Sequence, residues 1–395
     1  MRVVFLPFRP FASGVSSYFR YLVGASLSAE MEVVVLGYGS KAESPFPPEI
    51  EYIQLGASDP TWINWMGGPI MTDLAVGLRA QRALTELNGR VDLIYAVSPG
   101  SMPPRRLLPG VPRVSTVWAF RTARDSVRSG FSLFRQGWSL LAPLAQLEMD
   151  VSDYRGYSDS DLLLATTSEA SRFWGGRTGV SSAYLPPPVE VGAYSFLPPV
   201  DGRLRVLIGE RELDRPRNHV KRFLDVASSL PRNLSSKLAV VLVGEDHGNL
   251  TGALRRMHHA GVVTTLHRYL QRDAFFGVLQ SCQLSVCLRD IRDQGGYWVL
   301  EGMARGIPAM MTDSPAFRDL GPAGMTGTYV DIGSIRDIRE GLVYLLDNPS
   351  ELSAMSRRSY EFVTRNHSLR SVGTVLRKTF EDLLSNRVPQ PAVIA

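Results

Sequence analysis

Apolar residues fall along the chain in two alternating rhythms. Short runs that are apolar at nearly every position read as strands buried on both faces. In the first half these are 3–7, 32–37, 50–55, 91–97, 113–118 and 161–166. Between them, 15–27 and 73–87 carry the three- and four-residue spacing of helices. The second half repeats the rhythm, with strands over 203–209, 238–243, 262–266, 284–288 and 307–311. Helices are predicted over 220–230, 273–280 and 297–305, and three more close the chain at 335–346, 349–365 and 369–384. Strands that alternate with helices in this way predict an α/β protein with parallel sheets, opening as a Rossmann-like domain opens.

The rhythm breaks once. Tyr184-Leu185-Pro186-Pro187-Pro188-Val189 and Phe196-Leu197-Pro198-Pro199 form the richest proline stretch, which continues neither a helix nor a central strand. This predicts an N-terminal domain over 1–185, a connector over 186–202, a second domain over 203–370, a closing helix over 371–388 and a tail over 389–395. A chain of 395 residues is long enough for two such cores.

Composition narrows the class. Hydrophobic content of 44% and charged content of 21% are those of a globular protein, and no window holds the ~18 uninterrupted apolar residues of a membrane span. The N-terminus, MRVVFLPF, enters a strand at once and has no cleavage-site pattern, so cytoplasmic residence is expected. Cys282 and Cys287 lie five residues apart along one strand, point to opposite faces, and read as free thiols rather than a disulfide or zinc site. The net charge is +5, almost all of its cations arginine, which suits bidentate contacts to phosphate. No Gly-x-Gly-x-x-Gly stands in the first strand–helix turn, which disfavours a dinucleotide cofactor, and no nucleic-acid motif accompanies the basic excess.

The chemistry concentrates in LRDIRDQGGYWVLEGMARGIPAMMTDSPAF, 288–317. A strand leads into an acidic, glycine-containing turn, then a helix stopped by Gly306 and Pro308. Gly295 and Gly296 let the backbone approach a ligand closely at the start of that helix. Asp293 and Glu301, eight residues apart, offer two carboxylates to hydroxyl groups. A ligand with both a phosphate and a polyol, such as a nucleotide-sugar, fits that set. A surface carboxylate and a helix-dipole partner remain the alternative.

This stretch resembles the acidic signature of retaining B-fold (GT-B) glycosyltransferases of the group 1, family-four-like kind: Glu, seven residues, Glu. Asp293 stands for the first acid, Gln294-Gly295-Gly296-Tyr297 for the glycine loop, and Glu301-Gly302-Met303-Ala304 for the second acid with its Glu-Ala-Met-Ala context. Gly306-Ile307-Pro308 and Thr312-Asp313-Ser314 resemble its continuation. The resemblance implies two Rossmann-like doubly wound domains facing a cleft, an acceptor domain first and a donor domain second, with the last helix crossing back to the first. It makes Glu301 the ribose ligand, the backbone of Gly295, Gly296 and Tyr297 the sugar and phosphate contacts, and Asp293 the acid near the reacting sugar. Its two cations on the donor diphosphate fall on Arg211 and Arg217, with Lys221 as fallback. Gly14, in Ser13-Gly14-Val15, resembles its small N-terminal loop. Gly244, in Gly244-Glu245-Asp246, resembles its Val-Gly turn, and Thr167-Ser168-Glu169 its serine-bearing turn before a helix.

Two features of the first half bear on mechanism. All six histidines lie at or beyond His219, and Trp118 stands where many relatives keep one. This disfavours a histidine base and an inverting mechanism built on it; Asp125 is a carboxylate in the same region. From Arg105 to Arg135 basic residues interleave with Phe120, Phe131 and Phe134, and apolar positions continue to Leu147. An active-site loop with a solvated arginine face explains 105–147, and contact with an anionic lipid surface at the inner membrane face is the other reading.

The expected function is a metal-independent, retaining transfer of a hexose-type sugar from a nucleotide-diphosphate donor to a glycan, lipid, protein or other acceptor, without a cofactor and without nucleic-acid binding. A catalytically weak nucleotide-sugar-binding protein and an inverting transferase with an aspartate base are the rivals.

Overall fold

The computed structural model describes residues 1–6, 13–38, 46–56, 78–87, 90–97, 102, 105, 108–117, 153–199, 201–214, 219–268, 270–289 and 296–385. The chain divides into two compact units. The first is Met1–Pro188 with Leu369–Ala395, and the second is Val189–Ser368.

The first unit is built on a seven-stranded parallel sheet in the order β3-β2-β1-β4-β5-β6-β7. Its strands are β1 Arg2–Leu6, β2 Glu32–Tyr38, β3 Glu51–Gly56, β4 Leu93–Ala96, β5 Arg113–Val117, β6 Leu162–Ala165 and β7 Ser182–Tyr184. Every residue of β4, β5 and β6 is buried; β4 and β6 accordingly read as unbroken apolar runs, while β5 also buries Arg113, Ser115 and Thr116. Helix α1, Ser13–Ser28, joins β1 to β2. Helix α2, Ser168–Thr178, is capped by the Thr167 hydroxyl, which accepts from the Ala170 amide, and ends on left-handed Gly179.

The closing helix belongs to this unit, as the resemblance implied. Leu369–Leu384 packs along α1 so closely that a Cβ on Gly373 would stand 2.2 Å from the Ala25 carbonyl. Its Phe380 is fully buried with its ring 6.0 Å from that of Tyr95. At its start Ser28 donates to the Leu369 carbonyl at 3.0 Å.

The second unit carries a six-stranded parallel sheet, β10-β9-β8-β11-β12-β13. Its strands are β8 Leu204–Glu212, β9 Leu238–Glu245, β10 Val263–His267, β11 Leu284–Cys287, β12 Ala309–Thr312 and β13 Gly327–Val330. One face is covered by helices that include α3, Val220–Ser228; the larger core there joins Phe223, Leu224, Val240, Leu242, Leu342 and Leu345. Helix α4, Arg232–Ser235, and α5, Thr251–His259, follow. Next come α6, Arg272–Gln280, and α7, Tyr297–Met303, which meet the other face around Leu207, Val243 and Leu279. Helix α8, Pro315–Arg318, α9, Ile335–Asp347, and α10, Pro349–Asn366, complete the unit.

Three sequence expectations change. Strand β8 runs through Glu212, with a register irregularity against β9 between Gly209 and Glu212, so Glu210 and Arg211 lie on a strand that was expected to end at 209. Gly14 lies in the first turn of α1, not in a loop: first-turn amides need no intrahelical partner, so the helix starts before its apolar spacing does. Most of the expected connector is part of the second unit. Val189 bridges Ser368, the Gly192 amide donates to the Ala304 carbonyl at 3.2 Å, and Tyr194 bonds Ser356 at 3.0 Å. Among the described helices none is long and apolar enough to cross a membrane.

Candidate functional site

In each sheet the strand order reverses once, between β1 and β4 in the first unit and between β8 and β11 in the second. Loops leave a reversal point in opposite directions and open a crevice at the carboxyl ends of the two strands, where sheets of this kind bind ligands. In the second unit that point is charged. Glu210, near the end of β8, is buried, and Arg289, two residues past β11, grips it with Nε at 2.9 Å and with Nη2. The Cys287 thiol lies 3.9 Å from Glu210 Oε1. Thr312, the last residue of β12, pins the Arg289 backbone from both sides. Its hydroxyl accepts from the Arg289 amide at 2.8 Å and donates to the Arg289 carbonyl at 2.7 Å.

Helix α7 begins beside this pair. Gly296 caps it at φ 103°, and a Cβ there would stand 2.7 Å from Cys287 Sγ, so the position requires glycine on both counts. Tyr297 is half-buried in the first turn. One turn on, Glu301 is buried, and its Oε1 accepts from Arg272 Nη1 at 3.1 Å. Arg272, opening α6, also lies 3.9 Å from the exposed Glu190 carboxylate. Phe276 is gripped between two cations, the Arg272 guanidinium 4.6 Å from its ring centre and that of Arg305 at 3.9 Å. Arg305 donates to the Glu301 carbonyl at 3.0 Å. The carboxylate expected to meet a ribose is thus aimed by an arginine 29 residues away in the chain.

The remaining candidates divide by place. Gly244, at φ 147°, lies at the end of β9 against the Glu210 carbonyl; a Cβ there would be 1.7 Å from that oxygen, so the strand ends can approach only with glycine. Arg211 sits on β8 next to Glu210, and Lys221 is the second residue of α3. Arg217, Asp293 and Gly295 lie outside the described residues, as do Trp118, Asp125 and, within 105–147, residues 106, 107 and 118–147. Gly14 belongs to the first unit. The sequence reading missed Glu210 as a site residue, Arg289 and Arg272. A charged residue next to a glycine at a strand end was the only local signal for Glu210. Among the described residues no three of His, Cys, Asp and Glu gather as metal ligands.

Cys282, just before β11, and Cys287, its last residue, are buried and form no disulfide, as expected. Burial pushes the Cys282 thiol up to about 11.

Residues 214–362 match the sequence profile of the family described as glycosyl transferases group 1. The second unit carries a group 1 glycosyltransferase domain. No curated protein matches this glycosyltransferase by sequence. Among solved structures it is similar to sucrose-phosphate synthase from Thermosynechococcus elongatus, with a TM-score of 0.68 at 13% identity over 98% of this chain and 99% of that one. It is similar also to Anabaena HepE in complex with UDP and glucose, with a TM-score of 0.63 at 11% identity over 97% and 100% of the two chains. A third is WaaG, a glycosyltransferase involved in lipopolysaccharide biosynthesis, with a TM-score of 0.65 at 16% identity over 97% and 99%. Likeness at these identities establishes the fold, two Rossmann-like parallel-sheet units of the GT-B kind, which is the fold class read from the sequence.

Proposed function

We propose that the glycosyltransferase moves a hexose-type sugar from a nucleoside-diphosphate donor to an acceptor hydroxyl with retention of anomeric configuration and without a metal ion. The observation that carries the reading is the pairing of buried carboxylates with arginines in the second unit, Glu301 with Arg272 inside the stretch matched by the family and Glu210, just before that stretch, with Arg289. Glu301, oriented by Arg272, accepts hydrogen bonds from the ribose hydroxyls. The backbone at Gly295, Gly296 and Tyr297 and the close approach at Gly244 receive the sugar and phosphates. Asp293 faces the reacting sugar. Arg211 and Arg217 offset the charge that grows on the departing diphosphate, the largest electrostatic demand of such a reaction and the work a divalent cation would otherwise do. The lack of histidine before His219 supports retention, because no imidazole base is supplied by the first unit.

HepE has been solved with UDP-glucose, so UDP-hexoses are the first donors to try, ahead of GDP-, ADP- and dTDP-sugars. The test is release of the nucleoside diphosphate from each donor with a glycan or lipid acceptor panel in the presence of EDTA, with product configuration read by NMR. Release that EDTA leaves intact, an axial product from an α-donor, and loss of donor-induced thermal stabilisation in Glu301→Ala and Arg211→Ala are the expected results. A β-product from an α-donor would replace retention with the aspartate-base inverting mechanism. Donor binding without transfer or hydrolysis would favour a nucleotide-sugar-binding protein.

A further inference from the structure

A buried guanidinium without a carboxylate beside it is costly, because the charge gives up hydration and gains no counter-ion. Arg305, 8% exposed, is in that position, and among the described residues it forms no ion pair. What it meets instead is the Phe276 ring, whose centre lies 3.9 Å from its guanidinium carbon. It also meets the Glu301 carbonyl, to which its Nη1 donates at 3.0 Å. Arg272 lies one turn before Phe276 on α6. Its guanidinium carbon is 4.6 Å from the centre of the same ring, and its Nη1 donates to Glu301 Oε1 at 3.1 Å. The two cations repel each other, and the ring that each of them faces is what lets them share this place. Arg305 therefore acts on Glu301 twice. It holds the backbone directly, and it bears on the carboxylate through Phe276 and Arg272.

The segment that enters the second unit fixes Arg305 in turn. A Cβ on Gly192 would stand 3.1 Å from Arg305 Cγ and 3.2 Å from its Nε, so this backbone crosses directly over the side chain. Gly192 has little room to yield. Its amide donates to the Ala304 carbonyl at 3.2 Å, and its carbonyl accepts from the Tyr360 hydroxyl at 3.1 Å. Further on, the Ser195 amide and hydroxyl both donate to the Arg305 carbonyl, at 3.0 and 3.2 Å. Glu190, just before Gly192, reaches to 3.9 Å from Arg272. One short segment thus meets both cations. We propose that Arg305 and Phe276 are positioning residues for the Glu301 carboxylate, and that residues 190–195 set its aim by holding Arg305 in place. This rests on the donor-site reading above, in which Glu301 receives the ribose hydroxyls. It ties ribose recognition to the segment that joins the two units.

The test compares UDP, GDP and ADP with their 2′-deoxy counterparts by thermal-shift titration of the full chain. A site built to bond a hydroxyl rejects the analogue that lacks it, so the wild type should prefer the ribonucleotide and Glu301→Ala should lose that preference. Phe276→Leu removes the ring, and Gly192→Val presses on Arg305 from outside the stack. In both, the preference is expected to fall by about fivefold or more, while affinity for the 2′-deoxynucleotide stays near wild type. Phe276→Tyr keeps the ring and should keep the preference. A residue that only packs the fold would lower the melting temperature of the free protein and leave the preference unmoved. Folded Phe276→Leu with the wild-type preference therefore overturns the inference and leaves the donor site standing, whether or not Gly192→Val folds. If no nucleoside diphosphate stabilises the wild type, or Glu301→Ala keeps the preference, the donor-site reading fails and this inference fails with it.

Discussion

The two sheets of this glycosyltransferase have the same winding and opposite placement of charge. In the first unit the interior of the sheet is neutral. Thr116 donates to the Tyr95 hydroxyl at 2.9 Å, Ser160 donates to Ser115 at 2.7 Å, and Thr166 donates to the Val117 carbonyl at 3.3 Å. Its buried cation, Arg113, opens β5, at the amino end of the strand. There the Asp161 carboxylate accepts from the Arg113 amide at 2.9 Å and from Arg105 at 2.5 Å. In the second unit the buried carboxylates, Glu210 held by Arg289 and Glu301 held by Arg272, lie at or beyond the carboxyl ends. Burial of charge is therefore common to both units and does not mark a site. Its position along the strand direction does, because crevices between diverging loops form only where parallel strands end.

The contrast can be broken by mutation, most strongly at Glu210. Glu210→Ala leaves the Arg289 cation partly buried without its counter-ion and should cost about 3–5 kcal/mol in urea unfolding, whereas replacing both residues by apolar ones of similar volume should be near neutral. A cost for the apolar pair as large as for the single variant would mean that the ion pair holds the fold together, contrary to the argument. Gly244→Ala comes next. Its φ of 147° and the 1.7 Å approach to the Glu210 carbonyl should together cost about 1–3 kcal/mol or more and weaken nucleotide binding with it.

In the neutral sheet the effects are smaller. Tyr95→Phe removes one buried hydroxyl and should cost about 1 kcal/mol. Burial pushes the Tyr95 hydroxyl up to about 12, so its phenol ionises more readily in the unfolded chain. The stability this provides is complete below pH 10 and is lost as pH rises from 10 to about 12. Tyr329 is raised too, also by burial, and acts in the same sense, so the expected result for Tyr95→Phe is a shallower alkaline loss than wild type rather than its disappearance. The smallest effect is at the exposed pair of Asp313 and Arg318, at 2.6 and 2.8 Å. The hydrogen bonds from Arg318 hold the Asp313 carboxyl below its ordinary value, so its contribution is present above pH 3.8 and lost as pH falls further. Being solvent-screened, it should amount to less than about 1 kcal/mol in Asp313→Asn, measured by denaturation at pH 7 and pH 3.

Most of the fold was legible because parallel strands buried on both faces leave an unmistakable run of apolar residues. The runs that became β1, β2, β9 and β11 were placed to within a residue or two. What escaped was short or mixed: β7 has three residues and β13 reads Gly-Thr-Tyr-Val. The strand expected over 203–209 stopped short of Glu210 and Arg211 for a different reason. A charged run from 210 to 219 looks like a loop when taken alone, and a strand tolerates Glu210 only because Arg289, 79 residues later, arrives beside it. Gly296 illustrates the reverse case. Its place at the start of a helix was evident from the sequence, and the neighbour that demands a glycine there, Cys287 Sγ, was not.

The sequence by itself determined the α/β class, the two sheets and the return of the last helix through its family resemblance. These follow from local patterning, in which each residue's preference depends on near neighbours. The tertiary structure alone decided which charges meet: Glu210 with Arg289, and Glu301 with Arg272. Ion pairs form across whatever distance in sequence the sheet order brings together, and at the point where strand order reverses that distance is long, so no local pattern can encode the pairing.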